Sequence, residues 1–83
     1  MSKPKLRFTP ASMINYERFT KRSMIKDLNE MKNTSHMVAS LIEPTSWEHY
    51  NELREEGNEV FDSMFENGTY VEGMQVLAKS LKG

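Results

Sequence analysis

Cysteine is absent from the 83 residues. Its absence excludes a disulfide-stapled scaffold and thiolate metal sites, and fits a reducing compartment. No apolar run approaches the ~20 residues needed to span a bilayer, and residues 1–10 lack the apolar centre of a signal peptide. A soluble intracellular protein is therefore expected. Histidine occurs only at His36 and His49, without metal-ligand spacing, and no glycine-rich loop leads into a helix as a phosphate cradle does. His49 stands beside Glu48 and near Glu52, a pairing far commoner on charged helices than in active sites. The sequence points away from an enzyme and implies no metal and no cofactor.

What is present is unevenly distributed. Residues 1–33 carry eight basic and three acidic side chains, a net of +5, whereas residues 34–83 carry three basic and nine acidic ones, a net of −6. Such polarity can steer a charged partner, join identical subunits head to tail, or mark solvated faces packed within one monomer. The chain length permits one domain with one modest core.

Helix starts are the clearest local signals. Residues 1–5 read as a loose basic tail, and Leu6-Arg7-Phe8 alternates as a short strand does. Thr9-Pro10 starts a helix: the hydroxyl accepts from a first-turn N–H, and proline has no N–H to lose. Thr9→Ala should cost about 1 kcal/mol. Met13, Ile14, Tyr16 and Phe19 are that helix's apolar candidates, with Glu17 expected to pair with Lys21, Arg22 or a lysine from another segment. Ser23 caps a second helix with Met24, Ile25, Leu28 and Met31 on one face. Asn33 or Thr34 caps a third, carrying Met37, Val38, Leu41 and Ile42 and ending before Pro44.

Thr45 and Glu48 have capping-box spacing for a fourth helix, whose stripe runs through Trp47, Tyr50, Leu53, Val60, Phe61, Met64 and Phe65. Gly57 either lies inside this helix at a cost of about 1 kcal/mol or breaks it, with Asn58 as a new cap. The reading preferred is one kinked helix. Asn67-Gly68 is a stop, and Thr69 with Glu72 offers another capping box for a last helix bearing Val71, Met74, Leu77, Ala78 and Leu81. The expected fold is mostly α: residues 6–83 form a single-domain bundle of about five short helices with at most one short N-terminal strand. Its core is drawn from Phe8, Ile14, Phe19, Ile25, Leu28, Leu41, Trp47, Leu53, Phe61, Leu77 and Leu81.

Methionine is abundant, with seven residues, and six of them lie in amphipathic patterns. Adaptable methionine surfaces suit grooves that accept apolar helices, and methionines also fill small cores. Met24, Met31 and Met37 are the candidate client-binding residues. A second reading assigns nucleic-acid binding to Lys3, Lys5, Arg7, Arg18, Lys21 and Arg22, although the acidic second half would repel a phosphate backbone. A third makes the acidic fourth helix an inhibitor of a host protein.

A family resemblance enters at residues 6–28. A short apolar strand ending in Phe8-Thr9, a helix with Glu17 at mid-length, the turn Thr20-Lys21-Arg22-Ser23 and a second helix ending in Asp27-Leu28 resemble the small tail assembly chaperones of long-tailed bacteriophages. The family usually has glycine after the turn threonine, where this chain has Lys21. The resemblance implies a non-enzymatic protein of the host cytoplasm. Its partner would be the tape measure protein or another helical client, with homo-oligomers when the client is missing, and with neither membrane nor nucleic acid as a target.

Overall fold

The computed structural model describes residues 3–82 of the chain, so Met1, Ser2 and Gly83 of the expected tail and C-terminus lie outside the described residues. Among the described residues six helices follow one another: α1 (Pro10–Thr20), α2 (Met24–Asn29), α3 (Thr34–Leu41), α4 (Trp47–Leu53), α5 (Glu59–Ser63) and α6 (Thr69–Lys82). Helix α3 is the axis, because α1, α2, α4 and α6 all pack on it. Met37, Val38, Ala39, Ser40 and Leu41 on α3 are all buried, and the one polar side chain among them is satisfied: Ser40 Oγ donates to the Met37 carbonyl at 2.6 Å. Among the described residues no helix is long and apolar enough to cross a membrane.

The expected N-terminal strand is a single antiparallel bridge, Leu6 to Ile42. Arg7 N–H donates to the Leu41 carbonyl at 2.8 Å and Glu43 N–H to the Lys5 carbonyl at 2.9 Å, which ties the start of the chain to the end of α3. Thr9 caps α1 in a reciprocal box with Ser12: each backbone N–H donates to the other's hydroxyl, at 3.3 and 3.2 Å. The Thr9 hydroxyl also meets that of Thr45 at 3.1 Å. Urea unfolding of Thr9→Ala should therefore show a loss of about 1–2 kcal/mol, the upper part of the cap range.

Helix α1 stops where Lys21 enters the left-handed region at φ 59°, a conformation that glycine takes without steric cost. Glu17 does not pair with Lys21 or Arg22 but reaches the next helix: its Oε2 accepts from the Met24 N–H at 2.9 Å, while Ser23 Oγ accepts from Lys26 N–H. Two of the orphan donors of α2 are thereby satisfied.

The fourth element is not one helix. Gly57, at φ +82°, breaks it, and Asn58 starts α5 with its side chain used twice: Oδ1 accepts from Phe61 N–H at 3.1 Å and Nδ2 donates to the Glu52 carbonyl at 3.0 Å. Ser46 rather than Thr45 caps α4, accepting from His49 N–H at 3.1 Å. The start of α6 also differs from expectation, since Asn67 Oδ1 accepts from Thr69 N–H and the Thr69 hydroxyl is buried with no partner among the described residues. Of the expected core, Leu28, Leu41, Leu53 and Leu77 are buried, and Phe8, Trp47, Phe61 and Leu81 are partly so. Ile14, Phe19 and Ile25 are exposed instead. The buried side of α1 is Ser12, Asn15 and Tyr16.

Candidate functional site

Around the break between α4 and α5, five helices bring aromatic side chains into one connected series. Phe19 comes from the last turn of α1, His36 from the first turn of α3, and Trp47 and Tyr50 from α4. Phe61 sits on α5, Phe65 just beyond it and Tyr70 at the start of α6. Neighbouring centroids are 6.2 Å apart for Trp47 and Tyr50, 6.0 Å for Tyr50 and Phe19, 5.4 Å for Phe19 and His36, and 5.7 Å for His36 and Phe61. The series continues at 6.5 Å from Phe61 to Phe65 and 5.1 Å from Phe65 to Tyr70. All of these fall within the span of attractive aromatic pairs.

Two arginines lie on this track. The Arg18 guanidinium is 4.1 Å from the Trp47 centroid, and that of Arg54 is 3.7 Å from Phe19 and 5.1 Å from Tyr50. Cation–π contacts of this kind contribute about 0.5–2 kcal/mol each, more as water is removed. Arg54 also donates to the Asn51 side chain, yet its Nε is buried without a partner among the described residues, as is His36 Nδ1. Burial, and then the charge of Arg54, hold the His36 imidazole below its ordinary value. Burial pushes the Tyr50 phenol up, with Arg54 opposing. At neutral pH the centre of the track thus holds uncharged rings beneath fixed guanidinium groups. Two of its rings reach solvent, Phe19 at 37% and Phe65 at 55% exposed.

The methionine groove expected from the sequence does not form. Met24 and Met37 have no exposed surface and pack in the core with Tyr16, Leu28 and Val38, while Met31 is exposed, in left-handed conformation just past α2. Methionine here mainly fills the interior. The basic residues of the first third are dispersed. Lys5 and Arg7 line an open cleft of about 560 Å³ with Glu43 and Pro44, and Lys3 approaches Glu72 at 4.0 Å. Lys21 and Lys26 line a smaller cleft of about 200 Å³ with Arg22, which is paired with Asp27, and Arg18 covers Trp47. His49 lies 3.8 Å from Glu52, and among the described residues no three His, Asp or Glu side chains gather to hold a metal ion.

From the sequence, Phe19, Trp47 and Phe61 are expected in the core, and Tyr50 and Phe65 on the stripe of the fourth helix. The signal available was the density of aromatics around Gly57, read there as one helix stripe; a break turns that stripe into a bend whose outer rings reach solvent. No known protein family, curated protein or solved structure matches the chain.

Proposed function

We propose that the protein is a non-enzymatic interaction module that binds an apolar helical client, in the manner of the tail assembly chaperones that residues 6–28 resemble, with the tape measure protein as client. The observation that carries this reading is the aromatic track: the rings are connected, and two of them, Phe19 and Phe65, are exposed. Aromatic and arginine side chains are the types that dominate binding energy at protein interfaces. The turn of the resembling segment supports it too. Lys21 takes the left-handed conformation at the position where the family pattern has glycine.

Coexpression with the tape measure protein encoded beside it is the test. The client should become soluble in the presence of this chain, and the chain alone should self-associate through the same rings. Phe19→Ser with Phe65→Ser should keep helix content by circular dichroism, at a cost of about 0.5–2 kcal/mol for the lost Arg54–Phe19 contact, yet lose client solubilisation. A client equally insoluble with and without the chain, or neighbouring genes that encode no tail proteins, removes the chaperone reading.

A further inference from the structure

Four helices meet at one titratable side chain. The His36 ring, on the first turn of α3, lies 5.4 Å from Phe19 of α1 and 5.7 Å from Phe61 of α5, and the His36 carbonyl accepts from the Tyr50 phenol of α4 at 3.4 Å. Its Nδ1 is buried without a partner among the described residues. Little around it could answer a positive charge. On α1, Arg18 is drawn over Trp47 and Glu17 accepts from the Met24 N–H; on α2, Asp27 is held by Tyr16 and Arg22. On α4, Tyr50 stays protonated, His49 lies beside Glu52, and Arg54 at the helix end sits over Phe19 at 3.7 Å. Glu59 and Asp62 of α5 are exposed, the Tyr70 phenol of α6 bonds Thr34, and α3 has no other ionisable side chain. Among the described residues no carboxylate lies within 4.0 Å of the His36 ring. The charge that acts on the imidazole is the like charge of Arg54.

A protonated His36 would hold a buried, unpartnered N–H donor next to a guanidinium, against a phenyl ring that Arg54 already covers. Water reaches that donor only if a neighbouring ring leaves. Phe61 is the ring that yields, because α5 has five residues, none of them buried, and Phe61 is its side chain packed against both core clusters. Phe19 is pinned under Arg54 on an eleven-residue helix. On either side of α5, Leu53 and Met64 are buried and hold the ends of the segment. We propose that His36 is an acid-sensitive latch on α5: protonation of its imidazole displaces Phe61 and frees residues 59–63 between those two anchors, which interrupts the aromatic track. The latch is a property of the fold and stands whatever the client is.

The direction follows from linkage. Burial, and then Arg54, hold the closed-state imidazole below its ordinary value of about 6.5. Above that value it is neutral in both states, and as pH falls the opened state takes up the proton first and gains population. From pH 7.5 to pH 5 the opening equilibrium of α5 should rise by up to about thirtyfold. Native-state amide exchange on the full chain, expressed as protection factors corrected for the intrinsic pH dependence, measures it. Protection of the Phe61 and Asp62 N–H groups, which donate to the Asn58 side chain and carbonyl, should fall over this range and should not depend on low urea, the mark of a local opening. Amides of α3 should exchange with the urea dependence of global unfolding. His36→Phe keeps a ring without the proton, and His36→Gln is neutral without a ring; both should flatten the pH dependence at α5. An NMR titration of the His36 ring should place its midpoint below about 6.5. A midpoint at or above that value, α5 amides that open only with global unfolding, or a pH dependence that persists in either variant overturns the latch.

Discussion

Asp27→Ala should lower the unfolding free energy at pH 7 by about 3 kcal/mol, a large share of the ~4–12 kcal/mol expected for a chain of this length. The Asp27 side chain is fully buried and holds two elements together. Tyr16 OH donates to its Oδ2 at 2.7 Å from α1, and Arg22 Nε donates to Oδ1 at 2.8 Å and Oδ2 at 3.0 Å from the intervening turn. Alanine would strand the buried Tyr16 hydroxyl, and hydrogen bonds to charged groups contribute about 1.5–3 kcal/mol. The carboxylate also lies near the N-terminal end of α2, where a negative charge contributes about 0.3–1 kcal/mol. Arg22 is partly solvated and returns to water at little cost, so removing the acid leaves no stranded cation. Removing Arg22 is the reverse case, since it leaves a buried anion held by Tyr16.

Acid should erase the difference. Burial would raise the Asp27 carboxyl, but the Tyr16 and Arg22 hydrogen bonds outweigh it and hold the group below its ordinary value. Above the unfolded value of about 3.9 the group is ionised in both states and its contribution is complete. As pH falls, the unfolded chain takes up the proton first, so stability declines until the folded carboxyl is protonated as well. Urea unfolding of parent and Asp27→Asn should therefore diverge at pH 7 and converge toward pH 2. Parallel pH profiles would show that Asp27 is not the ionised centre of this network. The Tyr16 phenol shifts upward, by burial first and then by its bond to Asp27, so it remains the donor throughout this range.

This network also explains what the sequence did and did not reveal. Thr9-Pro10 and Ser23 mark helix starts through chemistry confined to four residues, and local sequence carries that information in full, whereas α5 ends at Ser63, before the stop expected at Gly68. The orientation of α1 is a different matter. Hydrophobic periodicity favours Ile14 and Phe19 as the inward side, yet Ser12, Asn15 and Tyr16 face the core. They can do so because each finds a partner: Ser12 Oγ donates to the Arg7 carbonyl, Asn15 Nδ2 donates to the Thr45 carbonyl at 2.9 Å, and Tyr16 donates to Asp27. Two of those partners lie eleven or more residues away, beyond the reach of a periodicity argument.

The break at Gly57 was undecidable locally for the same reason. A glycine inside a helix costs about 1 kcal/mol, a deficit that good packing easily offsets, and no neighbour crowds this one. The decision comes from Asn58 bonding backward to Glu52 and forward to Phe61. The exposure of Phe65 goes with that bend, which leaves Val60 and Phe65 outside the packing that buries Tyr50, Leu53 and Met64. Residue types for the candidate site were therefore visible in the sequence, whereas their assembly into a surface depended on one turn.

Gly73→Leu should abolish folding, and Gly73→Ala should destabilise by about 1–2 kcal/mol although alanine is the better helix former. At an exposed helical position that exchange gains about 1 kcal/mol. Here α6 crosses α3 with nothing between backbone and side chain. A Cβ at position 73 would lie 2.6 Å from Val38 Cγ1, 2.8 Å from Cγ2 and 3.1 Å from Cβ, well inside ordinary carbon contact. Val38 has no exposed surface, and its branched side chain is stiff at χ1, so it cannot swing clear. Overpacking a filled core costs about 1–3 kcal/mol for small additions, which outweighs the propensity gain for alanine; leucine adds three further carbons at the same place. Val38→Ala alone should cost about 1–3 kcal/mol through lost packing. In the Gly73→Ala background the same change removes both clashing methyl groups, so the double variant should be more stable than the sum of the single losses by about 1 kcal/mol or more. Urea unfolding of the four proteins measures that coupling. A coupling near zero, or a Gly73→Ala variant more stable than the parent, would place α6 farther from α3 than the close crossing requires.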